Sequence, residues 1–133
     1  MKRKEARRIA TQTLYQVEMT GYDPDQALQN VLEDREPDSF LSQIVHGTVR
    51  HQEAVDQKIR NALANWRLER LSRVDRAILR LAVYEMLFTQ DAAPAVIINE
   101  AVELGKYFGS EENGKFINGV LSEVHRQLSD SEQ

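Results

Sequence analysis

Apolar residues recur along this chain at intervals of three and four, the period of an α-helix packed on one side, and no stretch alternates convincingly at the two-residue period of a strand. Ala6, Ile9, Ala10, Thr13, Leu14 and Val17 form one face of a first helix, which Gly21 ends. Asp23 followed by Pro24 has the form of an N-cap and first-turn proline for a short helix carrying Ala27, Leu28, Val31 and Leu32. Asp34 to Asp38, with Pro37, reads as a loop. Phe40, Leu41, Ile44, Val45 and Thr48 continue the helical period, and Val55, Ile59, Ala62 and Leu63 resume it after a break near His51. Ser72, with Asp75 three residues on, opens a fifth helix with Val74, Ala77, Ile78, Leu81 and Ala82 inward. Pro94 opens a sixth, with Ile97, Ala101, Leu104 and Phe108 on one side, and Gly109 stops it. Ser110 caps the last, whose inner face is Ile117, Val120, Leu121, Val124 and Leu128. The pattern predicts an all-α, single-domain bundle of about seven helices over residues 1–128, with a flexible tail over 129–133.

Composition narrows the chemistry. At 133 residues, 41% of them hydrophobic and 29% charged, the chain can bury one real core and resembles an ordinary soluble protein. With no cysteine there is no disulfide framework, thiolate metal site or cysteine nucleophile, which suits a reducing cytoplasm. No run approaches the ~18 apolar residues of a membrane span, and the first twenty residues lack the apolar stretch of a signal peptide. A cytoplasmic location is the expectation.

Charge is distributed unevenly. Lys2, Arg3, Lys4, Arg7 and Arg8 against Glu5 give the first eight residues a net +4, in a chain of net charge -4. A cationic end on an acidic body is an electrostatic footprint for a polyanion, or else a solvated terminus. On a wheel of about 100° per residue, Lys4, Arg8, Thr11 and Tyr15 share a sector opposite the apolar stripe. An aromatic ring in line with cations supplies a stacking platform for an unpaired base and partners for its phosphates. The other placement for Tyr15 is a ring covered by a neighbouring helix with its hydroxyl wet. The apolar face is too rich in alanine and threonine to anchor in a membrane, so nucleic acid is the better fit. On the fifth helix Arg73, Arg76 and Arg80 share a face, either solvated or forming a second basic surface. Glu85 falls on that helix's apolar side, where an unpaired carboxylate is costly. It is either hydrogen-bonded within the core, to an arginine or a backbone amide, or part of an interface whose partner supplies the donor. The rule that buried polar groups find internal partners favours the first.

Catalytic motifs do not assemble. Gly109, Gly114 and Lys115 have P-loop spacing, but Phe116 replaces the required Ser or Thr, no strand precedes them, and Glu111 and Glu112 would repel phosphate. His46 and His51 point to different sides of a helix and His125 stands alone, leaving no metal-ligand set. No cofactor and no catalytic residue are assigned.

Four segments carry a resemblance. These are R-x-x-A-x-Q-x-L-Y from Arg7, V-D-R-A-I-L-R-L-A-V-Y-E-M from Val74, I-N-E-A-V-E-L-G-K-Y-F-G from Ile98 and K-F-I-N-G-V-L from Lys115. In this order and spacing, over residues 3 to 127, they resemble the bacterial NusB family of transcription antitermination factors. The resemblance implies an all-helical fold that binds single-stranded boxA RNA of ribosomal RNA operons. It implies a heterodimer with the ribosomal protein NusE that acts on RNA polymerase within an antitermination complex. By position it implies RNA contacts from Lys2, Arg3, Lys4, Arg7, Arg8 and Tyr15, and a base-reading end at Glu112 and Phe116. It places Glu85 on the surface that meets the NusE partner. Replacing Arg7 and Arg8 together with alanine is expected to weaken RNA binding and leave the fold intact. A NusB-like domain also begins some ribosomal RNA cytosine methyltransferases, which need a catalytic cysteine that this sequence does not contain. The remaining alternative is a helical protein-interaction module whose basic N-terminus meets an acidic protein.

Overall fold

The computed structural model describes residues 1–131. Among them are seven α-helices: α1 (Arg3–Thr20), α2 (Pro24–Leu32), α3 (Ser39–Arg50), α4 (Gln52–Ala62), α5 (Arg73–Phe88), α6 (Pro94–Phe108) and α7 (Glu111–Ser131). A single 3-10 turn, Leu68–Arg70, precedes α5 and was not predicted. The helix starts expected at Asp23, Ser72 and Ser110 are built as read, and Asp38, expected only as the end of a loop, caps α3. Asp23 Oδ1 accepts from the Gln26 amide at 3.0 Å, Asp38 Oδ1 from Leu41 at 2.8 Å, Ser72 Oγ from Asp75 at 3.1 Å and Ser110 Oγ from Asn113 at 3.4 Å. Each satisfies an amide that the first helical turn leaves without a partner. Gly21 ends α1 at φ 75°, in the left-handed region that favours glycine. At the far end, α7 continues through Ser131, so Ser129–Ser131 of the segment expected as a tail are helical; residues 132 and 133 lie outside the described residues.

The core is organised around α5, which packs against α1, α3, α4, α6 and α7. That explains why burial on α5 exceeds one stripe: Leu79, Val83 and Tyr84 are buried together with the predicted Ala77, Ile78, Leu81 and Ala82. A helix packed against five others buries most of its circumference, with its charged residues buried only where they are paired. The α6–α7 hairpin closes where two glycines meet. A Cβ on Gly105 would stand 2.7 Å from Ile117 Cδ1 and 3.3 Å from the Gly114 backbone, so the helices could not approach this closely with side chains there.

α1 lies across one side of this core, in contact with α2, α3 and α5. Three neighbours bury an arc of about 200° at 100° per residue, taking in Ala6, Arg7, Ile9, Ala10, Thr11, Thr13 and Leu14. The remaining flank faces solvent over the full length of the helix.

Candidate nucleic-acid interface

The exposed flank of α1 begins with Lys2, Arg3, Lys4 and Arg8. Glu5, the one carboxylate of this segment, is paired with Arg35 Nη1 at 2.8 Å, which leaves the cations in excess. Arg3 lays its guanidinium 3.7 Å from the centre of the Phe40 ring, and Arg8 sits 5.2 Å from that of Tyr107 on α6. Cations seated on aromatic faces keep their charge while gaining a fixed position. Tyr107 is 58% exposed, and with Lys2, Lys4, Arg8 and Leu104 it lines a groove of about 360 Å³ between α1 and α6. Glu5 on α1 and Glu100 and Glu103 on α6 line it as well, and a phosphate chain entering here would be drawn to the cations of α1 and away from the acidic part of α6. Tyr107 appears in the sequence motifs but was assigned no role; its signal was a tyrosine two residues before the glycine that stops α6.

Arg7 corrects the sequence reading. It turns inward, its Nε and Nη2 donating to the two carboxylate oxygens of Glu85 at 2.9 and 2.8 Å, with side-chain exposures of 7% and 2%. Burial works against the guanidinium's charge, but the hydrogen bonds and charge of Glu85 prevail and raise its pKa above the ordinary value. Arg7 therefore presents no cation to RNA, and Glu85 presents no carboxylate to a partner. The implied partner contact at Glu85 is replaced by the internal ion pair that the residues themselves favoured.

Tyr15, 37% exposed, lies further along the same open flank of α1. It lies with Met19, Val31, Val74 and Phe108 around an apolar groove of about 640 Å³ where α1, α2, α5 and the end of α6 converge. Thr11, expected on the exposed sector, is buried and its Oγ1 donates to the Arg7 carbonyl at 2.9 Å. Glu112 is exposed on the first turn of α7, and Phe116 is half-buried one turn later. The Phe116 ring meets the ring of Trp66 edge to face, 6.0 Å between centres. Trp66 was missed by the sequence reading because it sits in an aperiodic segment.

The arginines of α5 form neither a solvated stripe nor a continuous basic surface. Arg76 Nη1 donates to the carbonyls of Leu68, Glu69 and Leu71 at 3.3, 3.1 and 2.9 Å, and its Nη2 pairs with Glu18. It thereby fastens the 3-10 turn to α5. Arg80 grips Asp56 through two hydrogen bonds of 2.8 and 3.0 Å, tying α4 to α5. Arg73 is the exposed member and donates to Met19 Sδ.

Fold and site define an all-α protein whose first helix carries a cationic, aromatic-edged flank at one end and an apolar groove at the other. The sequence pattern of the NusB family matches residues 4–126, and the chain belongs to the NusB family. It is 45% identical over 128 residues to the transcription antitermination protein NusB of Bacillus licheniformis, covering 96% of this chain and 99% of that one. T. maritima NusB superimposes with a TM-score of 0.85 at 35% identity, over 95% of this chain and 92% of that one. A crystal structure of the antitermination factors NusB and NusE in complex with dsRNA matches with a TM-score of 0.85 at 32% identity, over 94% and 96%.

Proposed function

We propose that this chain is a transcription antitermination factor that binds single-stranded boxA RNA of ribosomal RNA operons together with the ribosomal protein NusE. In this reading it is a non-catalytic cytoplasmic adaptor that delivers the pair to the RNA polymerase antitermination complex. The observation that carries it is the row Lys2, Arg3, Lys4 and Arg8, ending on the open ring of Tyr107, in a chain that is acidic overall. Cations give affinity for phosphates and an exposed ring stacks an unpaired base, which is the combination single strands require. The antitermination names of the relatives support this assignment, and the solved assembly of NusB and NusE with dsRNA supports the pairing with NusE and the binding of RNA.

For the protein partner, the Tyr15–Met19–Phe108 groove replaces Glu85. It exposes contiguous apolar surface beside the cationic row, as a docking face does. RNA and partner would then meet adjacent stretches of α1. The test is fluorescence anisotropy of a labelled boxA RNA against a scrambled one, with this protein alone and with NusE, over several salt concentrations. Selective binding that NusE tightens supports the assignment. Equal binding to both RNAs, abolished by salt, refutes it and leaves the protein-interaction module.

A further inference from the structure

A cavity of about 220 Å³ opens between α1, α4, the 3-10 turn and α5, lined by Glu18, Arg60, Leu68, Glu69, Arg76 and Arg80. Three guanidiniums of α5 converge on the single carboxylate of Glu18. Arg76 pairs with it through Nη2 and Nε, Arg80 Nη1 stands 3.4 Å from Oε2, and Arg73 Nε stands 3.8 Å from Oε1. Asp56 takes the other side of Arg80, and Glu69 takes Arg60 at 3.0 Å. Four arginines against three carboxylates leave this cluster one positive charge, and Arg60 and Arg73 are about half exposed. Among the described residues Arg73 has an acidic partner only in Glu18. A carboxylate and a phosphodiester each present one negative charge over two oxygens to the same guanidinium fork. Glu18 therefore stands where a phosphate group would stand.

We propose that Glu18 is the internal occupant of a second anion-binding site, built by Arg73, Arg76 and Arg80, and that it keeps this site closed to RNA phosphate. The inference rests on the RNA assignment above and adds to it a residue that confines the strand to the cationic end of α1. Glu18 lies ~15 Å further along the helix than Arg8, close enough for one bound strand to reach both. Because it is fixed to the helix, its carboxylate meets the arginines at a high effective concentration and outcompetes a phosphate arriving from solution. Phosphate contacts carry no sequence information, so an open second site would hold the protein on any RNA. Glu18 limits that sequence-independent binding.

Glu18→Gln keeps the shape of the side chain and one acceptor oxygen for Arg76 while removing the charge. The experiment measures anisotropy of labelled boxA and scrambled RNA over several salt concentrations, without NusE, for the parent, E18Q, R73A and E18Q/R73A, with circular dichroism to check that each is folded. E18Q is expected to bind scrambled RNA about tenfold tighter at low salt and to steepen the slope of log affinity against log salt by about 1.4, the value for two single-strand phosphate contacts. Adding R73A to E18Q is expected to take back about 0.7 of that slope. In the parent, where the site is closed, R73A is expected to change neither affinity nor slope. An E18Q slope equal to that of the parent overturns the closed site, and so does weaker binding by R73A alone, a measurement that stands even where E18Q fails to fold. Either result leaves the RNA assignment in place, whereas a parent that binds no boxA RNA refutes that assignment and this inference with it.

Discussion

Replacing Arg7 or Glu85 alone is expected to harm this fold far more than replacing both. Each charge is almost fully withdrawn from water and is compensated by the other through two hydrogen bonds that Arg7 donates to the Glu85 carboxylate, at 2.8 and 2.9 Å. Removing one member leaves the other as an uncompensated buried charge, a loss of about 3–5 kcal/mol, whereas an apolar pair of similar volume is often neutral. Against a typical stability of ~5–15 kcal/mol, either single change is a large fraction of the whole. With a urea slope of about 2 kcal/mol per molar, a 4 kcal/mol loss moves the midpoint by about 2 M. The measurement is urea unfolding followed by circular dichroism for R7A, E85A and the double variant R7M/E85M. The two single variants are expected near that shift, and the double within about 1 kcal/mol of the parent. A loss below about 1 kcal/mol in R7A, the range of a surface pair, refutes the buried-pair argument. The experiment also revises the expectation that alanine at Arg7 and Arg8 leaves the fold intact. Any loss of RNA binding by R7A arises through stability, and only R8A tests the surface.

Arg8→Ala is expected to weaken RNA binding and to lower the slope of log affinity against log salt by about 0.7, the value for one single-strand phosphate contact; an unchanged slope in anisotropy titrations would remove Arg8 from the interface. Glu33 holds φ 60° and ψ -113° in the turn after α2, closed by the Arg35 amide on the Leu32 carbonyl at 3.2 Å. Glycine adopts this conformation without strain, so Glu33→Gly is expected to stabilise by about 1 kcal/mol in urea unfolding, and a destabilised variant would contradict it. Hydrogen bonds from Arg126 and then Gln127 hold the Glu123 carboxyl down at about 2. Its folded pKa is depressed, so what the pair contributes is present above the ordinary carboxylate range and is lost as pH falls toward about 2. NMR titration of the Glu123 carboxyl should show that low midpoint, rising toward the usual ~4.3 in R126A; the same midpoint in both would exclude Arg126 as the cause.

Local periodicity read the helices well because caps and apolar spacing are properties of neighbouring residues. The starts at Pro24, Ser39, Arg73 and Pro94 and the left-handed end at Gly21 all follow from residues within one turn. What it could not supply was the number of neighbours each helix has. A wheel that assumes one buried stripe puts Thr11 beside Arg8 and Tyr15, whereas three packed neighbours extend the buried arc across it. The same limit applies to Arg7, whose partner is 78 residues away. Glu85 could be recognised as a charge on an apolar face, and internal pairing was the physically preferred answer before family position was considered. Arg76 and Arg80 have the spacing of a surface stripe, but long side chains fold back, and the carbonyls of the 3-10 turn that receive Arg76 have no sequence signature. Of the cationic row, Lys2, Arg3, Lys4 and Arg8 were legible because they precede or oppose the apolar face.

The 18 residues of α1 form a rod about 27 Å long, and that rod works as a ruler. Arg8 lies near one end of its open flank and Met19 near the other. Their axial offset of about 16 Å is set by hydrogen-bonded backbone and cannot be adjusted by a flexible tether. A ligand held at the first mark and a partner held at the second would be presented to each other at a constant distance and angle, raising the local concentration of each for the other. One residue inserted between the marks would rotate one against the other by about 100° while lengthening the rod by only ~1.5 Å. Angular phase, more than separation, is the quantity this helix keeps constant.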